Sequence, residues 1–217
     1  FIDGSSIGTV TADGSGDWTY DHTGTILADA TYAVTATSTD AAGNTSSASS
    51  AFDVTVDTTA PGAPTVVTQT TSDLTPTITG TATVGAGETL TVVVSGATYT
   101  VTPAGGGAWS LDLDTATPTS GSLTALADGN TYNVTATVTD TAGNATSDST
   151  SSELVIDTTA PGAPSVVSIS TDTGVTDGVT SDNTLTFTGT AEANSTVEVF
   201  IDGSSIGTVT ADGSGDW

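Results

Sequence analysis

Valine, isoleucine, leucine and threonine recur at every second position along much of the chain, with polar residues between them. Tyr132-Asn133-Val134-Thr135-Ala136-Thr137-Val138 and Thr196-Val197-Glu198-Val199-Phe200-Ile201 are examples. Successive side chains of a strand face opposite ways, so a period of two bounded by Gly, Asp and Asn clusters predicts half-buried β-strands. No stretch shows the apolar spacing of an amphipathic helix. In the middle of the chain the pattern predicts seven strands, A to G, at 65–69, 76–83, 89–95, 98–103, 108–113, 131–138 and 151–157. Residues 165–170, 185–191, 195–202 and 205–211 read as strands A to D of a following unit. Residues 17–22, 31–38 and 51–57 read as strands E to G of a preceding one.

Internal repetition explains that sequence of partial and whole units. Residues 1–18 are identical to residues 200–217. Thr39-Asp40-Ala41-Ala42-Gly43-Asn44 matches Thr139-Asp140-Thr141-Ala142-Gly143-Asn144, Tyr32 matches Tyr132, and Trp18 matches Trp109. Asp57-Thr58-Thr59-Ala60-Pro61-Gly62-Ala63-Pro64 recurs intact as Asp157 to Pro164. Two prolines in so short a segment forbid a helix and a central strand, and the residue before each is pushed to extended geometry. The segment therefore reads as a stiff joint between domains. The expected organisation is the C-terminal part of a repeat at 1–57, a complete repeat at 58–157 and the N-terminal part of another at 158–217. Because Phe1 falls inside a predicted strand, the chain is expected to be part of a longer tandem array. The predicted fold class is all-β: tandem immunoglobulin-like Greek-key β-sandwiches of about 100 residues each. Tyr32 and Tyr132, at the start of strand F, read as tyrosine corners, and the tryptophans as core fillers.

Charge narrows the function. The 217 residues include no Lys or Arg and 25 acids, for a formal charge of −25. Such a chain cannot neutralise a phosphate backbone or dock on an anionic lipid surface, so neither nucleic acid nor a membrane is an expected partner. No run is long enough for membrane insertion, and no signal peptide is visible. The acids must be solvated, mutually repelling or neutralised by bound cations. The absence of Cys excludes disulfides and thiol chemistry. His22 is the sole histidine, which excludes a zinc-type cluster, and no serine sits in a strained elbow motif. An enzyme is not expected.

Strand direction sorts the acids. If the strands alternate, the B–C, D–E and F–G loops return to the end at which the preceding linker enters. Calcium takes six to eight oxygen ligands, which Asp-rich and Gly-containing loops supply. The expected sites are at the joints: Asp157 with Glu192 and the F–G aspartate of the following unit, and Asp57 with Asp140 and Glu88. Asp40 and Asp140 have a second reading, in which Asp-x-x-Gly-Asn merely closes a turn. The A–B loop offers Asp172, Asp177 and Asp182. Asp13 and Asp17 alternate like the opening of a calcium loop but lack its distal glutamate, which favours a plain turn.

The ordered set Thr-Asp-x-Ala-Gly-Asn, Val/Ile-Asp-Thr-Thr-Ala-Pro, Gly-Thr-Ala-Glu-Ala-Asn-Ser-Thr-Val and Ala-Asp-Gly-Ser-Gly-Asp-Trp resembles the bacterial Ig-like extender repeats of giant RTX-type surface adhesins. The resemblance spans the chain. It implies calcium-binding β-sandwiches strung into a stalk, partnered by neighbouring repeats of the same polypeptide, and secreted to the bacterial cell surface by a type I route. The central repeat departs from the pattern: Thr83 to Glu88 stands where the following unit has Glu192-Ala193-Asn194, and Ala104 to Ala108 where the preceding unit has Asp13 to Asp17. The alternative function is a ligand-binding adhesin module for a glycan or a solid surface such as ice. Neither partial unit can close a sandwich by itself. Two readings follow: head-to-tail completion of one chain's half by another's, or a chain that is an arbitrary window on a longer array.

Overall fold

Strand pairing in the middle of the chain follows the predicted alternation. The computed structural model describes residues 1–170 and 177–217, and every helix or strand element among them is a strand. They form two compact units, Phe1–Asp157 and Thr158–Trp217. The first unit opens with β1 (Ala30–Val34) and β2 (Phe52–Val56). The complete repeat follows, as β3 (Thr65–Val66), β4 (Gln69–Thr71), β5 (Thr77–Thr81), β6 (Thr89–Val94) and β7 (Ala97–Val101). It continues through β8 (Ala108–Asp112), β9 (Ser120–Gly121), β10 (Thr131–Tyr132), β11 (Val134–Thr139), β12 (Ala145–Ser147) and β13 (Leu154–Ile156). The second unit holds β14 (Ser165–Ile169), β15 (Phe187–Thr190), β16 (Thr196–Ile201) and β17 (Ser204–Thr210).

The complete repeat is a sandwich. One face is built from β3-β5-β8 and from β10-β13-β4; the other is β12-β11-β6-β7-β9. Ile78, Leu90, Val92, Val138, Leu154 and Ile156 point between the faces, each 1% exposed or less. Burial of such side chains contributes about 1.5–3 kcal/mol apiece. Trp109 lies across Gly80, its directly paired neighbour on β5, with no room for a side chain there. Tyr132 closes the expected corner: its hydroxyl accepts the Ala127 N–H at 2.9 Å. Tyr32 does the equivalent by donating to the Ala28 carbonyl at 2.9 Å.

The structure refines several predicted strands. Strand A is two strands, since β3 pairs antiparallel with β5 whereas β4 pairs parallel with β13. Strand F divides at Asn133, with β10 joining β13 and β11 joining β6. Strand G starts at Leu154 rather than residue 151, because Ser152 takes a left-handed turn (φ 68°) held by the Asn133 side chain. The interval between F and G contains a further strand, β12, paired with the end of β11.

In residues 1–57 the ladder between β1 and β2 is present, and Ile2 bridges Val34 as Val94 pairs with Val134 in the complete repeat. Residues 17–22, expected as strand E, form no ladder, and no strand of residues 1–57 lies in position to pair with them as β5 pairs with β8. No residue of 1–57 is buried. In the second unit β14 pairs with β15 and β16 with β17. Trp217 pairs with β15: its backbone exchanges both hydrogen bonds with Gly189, at 2.9 and 3.0 Å, and its ring covers that glycine.

Candidate functional site at the repeat joint

Proline excludes regular structure from the joint, so its conformation is set by side chains that reach it. Asp29, in the turn before β1, holds the linker. Its Oδ1 accepts the Thr58 N–H at 3.0 Å and the Thr58 hydroxyl at 2.7 Å, and its Oδ2 accepts the Thr59 hydroxyl at 2.6 Å. Asp57 closes a small turn, its carboxylate accepting the Thr59 N–H at 3.1 Å. From the complete repeat, the Asn144 amide nitrogen donates to the Asp57 carbonyl at 3.0 Å. The linker is therefore gripped by the repeat before it and tied to the repeat after it.

Asn144 belongs to the motif shared by both copies. The Asp140 Oδ1 accepts the N–H groups of Ala142 and Asn144, at 2.9 and 2.8 Å, and its Oδ2 accepts the Asn144 amide at 2.9 Å. Gly143 supplies the left-handed φ of 94° that closes the turn. Asp40 repeats this with Ala42 and Asn44, at 2.9 Å and, for both Asn44 donors, 2.8 Å. The turn links β11 to β12, so the motif is a hairpin turn rather than a long loop. The side-chain amide of Asn144 is the main cause that holds the Asp140 carboxyl below its usual range, and Asn44 does the same for Asp40. The Thr59 and then the Thr58 hydroxyl do so for Asp29.

The B–C loop meets this hairpin, with Gly87 directly beside the Thr141 methyl group. The D–E turn lies at the same end, Ala82 donating to the Gly107 carbonyl at 2.8 Å. Glu88 turns back on its own loop and accepts the Gly85 N–H at 2.7 Å. Asp57, Asp140 and Glu88 thus come from three segments at one end of the sandwich.

The other predicted residues each sit in their own local turn or strand end. Asp157 ends strand G, its N–H donating to the Thr71 carbonyl at 2.9 Å. Glu192 lies in an exposed turn of the second unit. Asp13 accepts from the Ser15 and Asp17 N–H groups at 2.8 and 3.0 Å, and the identical Asp212 turn does the same with Ser214 and Asp216. Asp177 accepts the Val179 N–H at 3.1 Å, and Asp182 the Thr184 N–H at 2.8 Å. Asp172 lies outside the described residues.

The joint's donors are of the kind a hard cation takes, being carboxylate and carbonyl oxygens. Two of them, the Asp57 carbonyl and the Asp140 Oδ2, converge on one nitrogen of Asn144. Among the described residues no three acidic or histidine side chains gather closely enough to hold a metal between them. The joint as it stands is a hydrogen-bonded one.

Two acids were missed in sequence. Asp29 has a readable signal, since Leu27-Ala28-Asp29 before Tyr32 reappears as Leu126-Ala127-Asp128 before Tyr132. Glu153 has none. It is 1% exposed, its Oε2 accepts the Val134 N–H at 2.9 Å where strand F changes sheets, and its Oε1 is buried without a hydrogen-bond partner.

A bacterial Ig-like domain model matches residues 1–58 and 65–158. No curated protein matches the chain. A solved structure described as bearing on host cell surface retention of a 1.5-MDa bacterial ice-binding adhesin is 24% identical, with a TM-score of 0.32. The match covers 88% of this chain and 62% of that one, and at this TM-score it adds nothing to the assignment. The family match, the sandwich and the two tyrosine corners agree: the chain belongs to the bacterial Ig-like domain family.

Proposed function

We propose that these repeats are extender modules of a large secreted bacterial adhesin, projecting a distal binding domain from the cell surface. The observation that carries this reading is the joint, where Asp29 and Asn144 fix a proline-containing linker from both sides. A spacer needs its modules held in line, and a joint with six residues between matched domains provides little else. A surface location and a type I export route follow from the same reading.

Calcium is the second part of the proposal. Asp57, Asp140 and Glu88 would hold it at the first joint, and Asp157, Glu192, Asp177 and Asp182 are each further candidate ligands. Bound there, the ion would neutralise carboxylates that have no Lys or Arg to pair with. A ligand at a hundred times its dissociation constant stabilises by about 2.7 kcal/mol. Small-angle scattering and thermal melts with calcium and then with EDTA test both parts. The expected result is an elongated particle that calcium lengthens and raises in Tm, with reversal by EDTA. Indifference to EDTA refutes the calcium part, and a particle that is compact under both conditions refutes the spacer.

A further inference from the structure

Both linkers end in the same seat. Pro64 has no N–H to offer a neighbouring strand. It is nonetheless buried, and the residue after it is tied to β5 by its side chain. The Thr65 hydroxyl shares a hydrogen bond with the Thr81 hydroxyl at 2.7 Å. Its oxygen also accepts the Thr81 N–H, at 3.1 Å. One residue earlier on β5, a side chain on Gly80 would collide with the Thr65 carbonyl oxygen and with the Trp109 ring. The end of the linker therefore lies directly on the backbone of Thr79-Gly80-Thr81, and the Val67 N–H continues the contact to the Thr79 carbonyl at 2.9 Å.

Ser165 follows Pro164 as Thr65 follows Pro64. Its hydroxyl shares a hydrogen bond with the Thr190 hydroxyl at 2.7 Å, and its oxygen accepts the Thr190 N–H at 3.3 Å. A side chain on Gly189 would collide with the Ser165 carbonyl and the Trp217 ring. The receiving strand reads Thr-Gly-Thr in both units, at Thr79-Gly80-Thr81 and Thr188-Gly189-Thr190. Thr and Ser differ by a methyl group, so what the two exits share is the hydroxyl. The pairs Thr31–Thr55 and Thr137–Ser147, away from any linker exit, join hydroxyl to hydroxyl. At the exits the hydroxyl takes a backbone N–H as well.

We infer that Thr65 is a positioning residue of the joint: its hydroxyl fixes the direction in which the linker enters the complete repeat, and Thr79-Gly80-Thr81 is the socket that receives it. Ser165 seats the end of the second linker in the same way. Asp29 and Asn144 hold the first linker at Asp57, Thr58 and Thr59, and Thr65 holds it at its end. Only residues 60–63 lie between the two holds. The role assigned to Thr65 rests on the spacer reading, in which the joint must keep its angle, and it needs no calcium.

The chain has no cysteine, so Asp53→Cys and Thr135→Cys place one spin label on each side of the linker, both at exposed strand positions. Thr65→Val keeps the shape of the side chain and removes the hydroxyl, whereas Thr65→Ser keeps the hydroxyl. The expected result, for the full chain in EDTA, is a broader distance distribution for Thr65→Val and the wild-type width for Thr65→Ser. Hydrogen exchange at the Thr81 amide should run about three- to tenfold faster in Thr65→Val, the effect of losing one net hydrogen bond. Ile78→Val, which loosens the core without touching the linker, sets the width that destabilisation alone produces. A Thr65→Val distribution no broader than that of Ile78→Val overturns the inference. So does a Thr65→Ser distribution as broad as that of Thr65→Val. Neither result touches the spacer, which a particle compact with and without calcium refutes by itself.

Discussion

Asp29 shows how a fully exposed carboxylate acquires a structural task. Three donors from Thr58 and Thr59 bind its charged form, which lowers its pKa from the usual 3.8. A depressed folded-state pKa means that the contribution is intact above pH 3.8 and fades as pH falls through the lower value. Between these limits the wild-type joint should loosen with acid, while Asp29→Asn, already weakened, should change less. Spin labels on either side of the linker read this as a broadening distance distribution. Asn144→Ala removes the tie from the following repeat. It is expected to broaden the same distribution at neutral pH and to cost the hairpin about 0.5–1.5 kcal/mol. Asp40, Asp140, Asp13 and Asp212 are depressed for the same kind of reason, so their turns share the acid sensitivity.

Among elements, legibility tracked the strength of the alternation. Strands β5, β6, β8 and β11 alternate over five or six residues, and their burial patterns repeat it. The division of strand A and the short β9 and β12 escaped, because two- or three-residue pairings of Ser, Thr, Gly and Gln carry no period. Sheet changes were equally hidden: nothing in Asn133 marks it as the place where strand F crosses from one sheet to the other. At the joint, Asp57 and Asp140 were readable from repetition, but the hydrogen bond through Asn144 required folded geometry. Asp29 was overlooked because an aspartate in a turn is ordinary, and its threonine partners lie about thirty residues away. Two substitutions test the packing. Ile78→Ala should cost about 2–5 kcal/mol by urea denaturation. Gly80→Val should cost more than an exposed Gly→Val such as Gly105→Val, since its side chain meets the Thr65 carbonyl and the Trp109 ring.

At the level of the whole molecule, the missing cations change how salt acts. With no Lys or Arg there is almost no attractive pair for salt to screen, and 25 acids repel one another. Screening shortens that repulsion to about 10 Å at 0.1 M. Added sodium chloride should therefore raise Tm monotonically even in EDTA, and a fall in Tm would show that attractive interactions dominate. The topology has a mechanical consequence as well. Strand β4 lies near the start of the complete repeat and β13 at its end, and they run parallel along Gln69–Thr71 and Leu154–Ile156. Tension applied along a string of such repeats pulls these two strands in opposite directions along their length. Their backbone bonds are then loaded together in shear, instead of parting one after another as in an unzipping hairpin. A repeat wired this way would meet tension with its first and last strands, and the Asp29 and Asn144 contacts would carry it from the preceding repeat.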